Sequence, residues 1–163
     1  MIRTTKVEKG TKPYDFNLDS AYQCTWFAYY RPQEEGLTPP CYWDRPTRTG
    51  KYTNAKHWLE NYREPWEVKG LDYNPQPMDV VVCTGTYGHA FVIEANNEDG
   101  TCLCSDYNRK ASKTYDSFTW KIGETLKGCG KVIGYLHYPR EVKDYKALYE
   151  EAKAKLDKIK EII

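Results

Sequence analysis

The chain has 163 residues, enough for one domain with a proper core, and its 24 basic and 23 acidic residues leave a formal charge of +1. The charges are interspersed rather than blocked, which gives no basis for nucleic-acid binding, and no apolar stretch approaches the length of a membrane span. Met1-Ile2-Arg3-Thr4-Thr5-Lys6 leads into polar residues rather than a signal-peptide core, so synthesis in the cytoplasm is expected unless a leader has been cut away.

Residues 1–18 read as an extended, loop-rich lead-in. Within them begins Asp15-x-Asn17-x-Asp19, whose alternating oxygens match a calcium loop but equally serve turns and caps. A helix is expected over about 20–31, with Asp19 or Ser20 as cap, Ser20-x-x-Gln23 as a capping box and Pro32 as its stop. Its opening turn carries Cys24. A thiol there faces unpaired N–H groups and the positive end of the helix dipole, the environment that favours a thiolate nucleophile. A buried, inert cysteine is the ordinary alternative for such a position.

Residues 32–52 form a Pro/Gly/Thr-rich segment expected to loop over the site, and 54–63 suggest a second helix with Trp58 and Leu59 turned inward. Strands are expected near 79–84, 89–95, 101–108, 116–121 and 131–138. The fold class is therefore α+β, with N-terminal helices packed on a mainly antiparallel sheet. Asn96-Asn97-Glu98-Asp99-Gly100 supplies the turn between the second and third strands. A tip at Glu98-Asp99 sets Asn108 opposite His89, and a tip at Asp99-Gly100 sets Lys110 there. In either register the period of two puts His89, Asp106 and Asn108 on one face, unless a bulge intervenes. A base beside a carboxylate or amide is what a thiol nucleophile requires, because the third group fixes the imidazole's tautomer and orientation.

The order of cysteine, then histidine at a strand start, then a polar orienter one strand later is that of papain-like enzymes. Tyr22-Gln23-Cys24-Thr25-Trp26-Phe27, Asn54-Ala55-Lys56-His57-Trp58, Pro77-Met78-Asp79-Val80-Val81-Val82 and Tyr87-Gly88-His89-Ala90-Phe91-Val92-Ile93-Glu94 together resemble the CHAP family. These are the cysteine, histidine-dependent amidohydrolases/peptidases of phage endolysins and bacterial wall hydrolases. The resemblance covers about residues 10–138 and implies a papain-like fold, a peptidoglycan substrate and cleavage of its amide bonds through a thioester. It implies Cys24 as nucleophile and His89 as general base, with Asp106 or Asn108 as orienter; the family commonly has Glu where Asp106 stands. Gln23 is a candidate for the oxyanion site, with a capping role as its alternative. A non-catalytic wall-binding or effector module on the same scaffold is the competing reading. Action on the wall would follow lysis or another route of release.

Of the six cysteines, Cys102 and Cys104 share the face of Asp106 and Asn108, Cys83 extends an apolar strand, and Cys41 and Cys129 stand in loop-like surroundings. No C-x-x-C pair marks a zinc cluster, and no metal ligand set is assigned. Trp43, Trp66 and Tyr87 are candidate substrate platforms, whereas His57 and His137 show no partner pattern. The domain is expected to span 1–140. Residues 141–163 carry Val142, Tyr145, Tyr149, Ala152, Leu156, Ile159 and Ile163 at alternating spacings of three and four. This amphipathic helix either docks on its own domain or leads to a wall-binding module. Lys146, Lys153 and Lys160 at e positions disfavour a parallel self-dimer, so a monomer is expected.

Some CHAP endolysins bind calcium just before the nucleophile, and Asp15, Asn17 and Asp19 would be the ligands here. Trp26 stands where the family has a carboxylate. Two carboxylates and one amide make at most a weak calcium site. EGTA should therefore leave most wall-lytic activity in a turbidity assay, and calorimetric titration should show no tight calcium binding.

Overall fold

Val80-Val81-Val82-Cys83 lacks the polar alternation of a half-exposed strand because both of its faces are covered. In this computed structural model, which describes residues 23–42, 54–111 and 114–140, that run is β2 (Val80–Cys83). The other strands are β1 (Glu67–Lys69), β3 (His89–Asn96), β4 (Thr101–Tyr107), β5 (Tyr115–Lys121) and β6 (Val132–His137). They form one six-stranded sheet of order β1-β6-β2-β3-β4-β5, and every neighbouring pair is antiparallel. The expected α+β class holds, with five of the strands near their expected positions. β1 was not foreseen: at three residues, two of them exposed, it has too little pattern to read.

Alternation sorts the sheet into two faces. Val80, Val82, Ala90, Val92, Tyr107 and Leu136 pack with Trp26, Phe27 and Ala28 of α1 (Cys24–Glu34) and with Trp58 of a short 3-10 helix, Ala55–Glu60. Val81, Phe91, Ile93, Cys102, Cys104, Trp120 and Tyr135 form a second apolar layer on the other face. Trp66, expected as an exposed platform, is instead in the first core at 1% exposure, and its indole Nε1 donates to the Thr38 carbonyl at 2.8 Å. His137, expected without a partner, holds its Nδ1 2.8 Å from Asp79 Oδ1. The Tyr73 hydroxyl joins this pair.

α1 differs from the expected helix at both ends. It begins at Cys24, with Gln23 as an extended N-cap whose side chain makes no capping bond, so the proposed box does not form around Gln23. Pro32 lies inside the last turn rather than stopping the helix. A proline there forfeits a single backbone bond. The chain then closes through Glu35 N–H to Pro32 O and Gly36 N–H to Gln33 O, with Gly36 at φ +77°. The expected helix over 54–63 is the 3-10 segment, with Trp58 buried and Leu59 partly so. Residues 1–22, 43–53, 112–113 and 141–163 lie outside the described residues, and with them Asp15, Asn17, Asp19, Trp43 and the heptad segment.

One buried ion pair ties helix to sheet. Arg31 donates through Nε and Nη2 to the two carboxylate oxygens of Glu94, at 2.9 and 2.7 Å. Ser105 on β4 donates to the same carboxylate at 2.5 Å. Removing the cation alone would leave a buried carboxylate without its bidentate countercharge, so Arg31→Met should cost about 3–5 kcal/mol. Arg31→Met combined with Glu94→Leu should recover much of that loss, read by urea denaturation of the three proteins.

Candidate active site

The first turn of α1, the start of β3 and the end of β4 meet at one end of the sheet. A cleft of about 410 Å³ opens there, lined by Gln23, Cys24, Tyr87, His89, Asn108 and Arg109 among others. Gly88, just before His89, has φ +75°, and a Cβ on it would run into the backbone of Lys56 and the Cys83 carbonyl. Only glycine lets the β2–β3 loop lie so close to the 3-10 helix. That close approach sets where β3 begins, and hence where His89 stands.

The strand register nearer the site pairs Val92 with Ser105 and Ile93 with Cys104, the offset of the Glu98-Asp99 alternative. Nearer the turn the pairing is offset by one, Asn96 with Cys102, and the shift is absorbed at Glu94. On the same face as His89, Asp106 accepts a hydrogen bond from Nε2 at 2.8 Å. That bond fixes the tautomer and leaves Nδ1 as the basic nitrogen. The question left open between two orienters is thus answered by geometry: Asp106 holds the imidazole. Asn108 has φ +61°, in the left-handed region, so the strand's alternation ends at Tyr107. Its side-chain Nδ2 donates to Gln23 Oε1 at 2.6 Å. With Oε1 occupied, the Nε2 end of Gln23 is the donor beside Cys24.

Asp106 is fully buried and is served by a second cation that the sequence reading passed over. Arg109 Nε lies 3.1 Å from Asp106 Oδ2, the oxygen that also faces His89. The guanidinium also donates to Asp116 on β5 and lies 4.0 Å over the Phe118 ring. Its position directly after Asn108 was the available signal, but only the turn at Asn108 brings it back over β4 and β5.

Cys24 lines the cleft beside His89, and the Cys129 sulfur lies within 4.8 Å of an imidazole nitrogen. Cys129 packs in the same apolar layer as Cys83. All six cysteines are free, and Cys41 and Cys129 belong to opposite core layers. Burial disfavours the charged imidazole, but the Asp106 carboxylate and the two thiols outweigh it and lift the His89 pKa to about 12. The Cys129 thiol is held well above the ordinary thiol range by Cys83 and by burial. Tyr87 stands 70% exposed on the rim, where a ligand could stack on it. Cys24 is half-buried, open to the cleft.

The sequence model of the CHAP domain matches residues 14–108, more than half of the chain. The chain belongs to the CHAP domain family. A probable autolysin, SsaALP, of Staphylococcus aureus (strain NCTC 8325 / PS 47) is 31% identical over 94 residues, which are 56% of this chain and 31% of that protein. The chain thus spans about a third of the length of this curated relative. Its fold is shared with the crystal structure of Ly7917 (TM-score 0.55, 16% identity, 72% of this chain and 53% of that one). It is similar also to an N-acetylmuramoyl-L-alanine amidase from Staphylococcus aureus (TM-score 0.50, 22% identity, 78% of this chain and 35% of that one). Among the described residues no helix is long and apolar enough to cross a membrane.

The raised pKa of His89 makes a stability prediction with a definite sign. The folded protein binds the imidazolium proton more tightly than the unfolded chain does. That contribution is complete below about pH 6.5 and is lost as pH rises toward the folded value. The stability gap between wild type and Asp106→Asn should therefore be widest at pH 6 and narrow at pH 8 and 10, measured by urea unfolding.

Proposed function

We propose that this chain is a peptidoglycan hydrolase that cleaves amide bonds of the bacterial wall with Cys24 as nucleophile. The observation that carries the reading is that Cys24 and His89 line one open cleft, with the imidazole held from behind by the buried Asp106, in a chain of the CHAP family. The names of its relatives, an autolysin and an amidase, point to the same substrate.

In this mechanism His89, charged through its bond to Asp106, is paired with the Cys24 thiolate before substrate arrives. Sulfur attacks the amide carbonyl, and the oxyanion is met by the Cys24 backbone N–H and by Nε2 of Gln23, which Asn108 orients. The imidazolium passes its proton to the departing amine, leaving a thioester. Imidazole then takes a proton from water, hydroxide adds to the thioester, and the acyl group leaves as a carboxylic acid while Cys24 is regenerated. Tyr87 on the rim offers an aromatic face to the sugar or peptide on either side of the bond. Phage-driven lysis and turnover of a bacterium's own wall both use this chemistry at the wall itself.

Purified cell walls should clear in the presence of the wild-type protein and release new amino groups without new reducing sugar ends. Cys24→Ala and His89→Ala should each slow clearing by about 10³-fold or more, and Cys24→Ala should do so while melting near wild type. Clearing at the wild-type rate by Cys24→Ala would leave a binding or effector role in place of hydrolysis. Reducing ends would indicate a glycosidase. Asn108→Ala should lower kcat by about 10²-fold with little change in KM, because it disorients Gln23 toward the oxyanion rather than the bound substrate.

A further inference from the structure

Below the proposed nucleophile, three buried side chains offer donors of three different elements. One atom each from His89, Asp106 and Cys129 (nitrogen, oxygen and sulfur) lies within 4.8 Å of the other two. They come from the start of β3, the end of β4 and the Gly128-Cys129-Gly130 loop. Both glycines pin that loop. A Cβ at residue 130 would sit 2.6 Å from the Thr84 carbonyl, and one at residue 128 would sit 2.7 Å from the Arg109 carbonyl. Cys129 is thereby held against the other two donors by the loop backbone as well as by its packing in the second apolar layer.

A second observation points to a ligand. Asp106 Oδ2 accepts the hydrogen bond of His89 and lies in ion-pair contact with Arg109 Nε, which makes no hydrogen bond to it, while Asp106 Oδ1 is buried and accepts no hydrogen bond among the described residues. A buried carboxylate oxygen left unsatisfied is costly, and a cation would satisfy it. Imidazole, thiolate and carboxylate together are the donor set of a borderline-soft metal, and the sulfur and nitrogen exclude calcium or magnesium as the natural occupant.

We propose that His89, Asp106 and Cys129 form a binding site for Zn²⁺. The metal takes the Cys129 sulfur, one imidazole nitrogen and a carboxylate oxygen of Asp106, and its fourth position is filled from the cleft by water or by Cys24. The Cys129 S–H proton and the proton on the coordinating imidazole nitrogen both go to solvent as the S–Zn and N–Zn bonds form. One thiolate and one carboxylate then balance the two charges of the ion, which a buried site requires. Tetrahedral zinc sets its donors about 3.3–3.8 Å apart, so the three side chains need to close by only about 1 Å. Zinc at this place would withdraw His89 from proton transfer. The binding stands apart from the hydrolase reading; inhibition of wall lysis rests on it.

Cys24→Ala removes the other thiol that lines the cleft with His89 and isolates the proposed site. This protein should bind one equivalent of Zn²⁺ with a Kd of about micromolar or tighter by calorimetry. With Co²⁺ as the optical probe it should show a thiolate-to-cobalt charge-transfer band. Adding Cys129→Ser should remove the band and weaken zinc more than about tenfold, and adding Asp106→Asn should weaken it while keeping the band. Should the Cys129→Ser protein fail to fold, zinc X-ray absorption on Cys24→Ala decides without it: one sulfur with nitrogen and oxygen donors is expected. No binding at 100-fold excess Zn²⁺, a band that survives Cys129→Ser, or a count of no sulfur or two would overturn the site. Zinc should also stop wall lysis by the wild type, with EDTA restoring it. A protein that never lyses walls but shows the cobalt band would sink the hydrolase reading and leave the metal site standing.

Discussion

A buried guanidinium holds the helix that carries Cys24 onto the strand that begins with His89. Arg31 lies seven residues along α1 from Cys24, about 10 Å of rise, and Glu94 lies five residues along β3 from His89, about 17 Å. The two elements run in the same direction and touch at both ends, once through the ion pair and once through the thiol and imidazole. Two attachment points remove the freedom of the helix to slide or swing over the sheet. The long Arg31 and Glu94 side chains take up the difference in length between the two paths. Apolar packing of Trp26, Phe27 and Ala28 supplies most of the adhesion, but it is tolerant of small shifts; a bidentate charged contact is not. The bulge at Glu94 belongs to the same constraint. It seats the carboxylate under Arg31 and Ser105 and also steps the β3–β4 register by one, which decides what faces His89.

Burial and charge divide the site between the two faces of the sheet. Cys24 comes from the helix layer, whereas His89 and Asp106 follow the alternation of the opposite layer, with Cys83, Cys102, Cys104 and Cys129 packed beside them. Asp106 is therefore an anion set at the margin of an apolar core, and its neutralisation falls to His89 from one side and Arg109 from another. Arg109 is itself wedged between Asp116 and the face of Phe118, so the cation is fixed by a strand that contributes nothing directly to the cleft. Asp79 repeats the device at a distance, taking its backbone bond from Gln76 and its side-chain bonds from His137 and Tyr73.

Local signals made the fold and the core of the site legible before any coordinates. Strong β-branched runs marked β2, β3 and β6, and the Asn/Asp/Gly cluster marked the β3–β4 turn. The period of two then placed His89 and Asp106 on one face. What escaped was decided by tertiary contact. Gln23 occupies the N-cap position without a side-chain capping bond, and Asn108, 85 positions away, takes its side chain instead. Trp66 is not a platform because Thr38 offers its indole a buried acceptor. Pro32 is tolerated because the helix has only one turn left to make when it arrives. Cys129 looked like a loop cysteine, and no spacing rule links it to His89 and Asp106, since each of the three enters from a different segment.

Gly88 bears on how the cleft could be altered. The backbone of residue 88 is pressed so closely on Lys56 and Cys83 that no side chain fits, while its neighbour Tyr87 stands open to solvent on the rim. Diversification of this wall, by natural drift or in a laboratory library, is thus confined to one side of a single peptide bond. Variants at 87 would sample new recognition surfaces on an unmoved catalytic base. Variants at 88 would trade recognition and catalysis against each other, because the same displacement that admits a side chain drags His89 out of register.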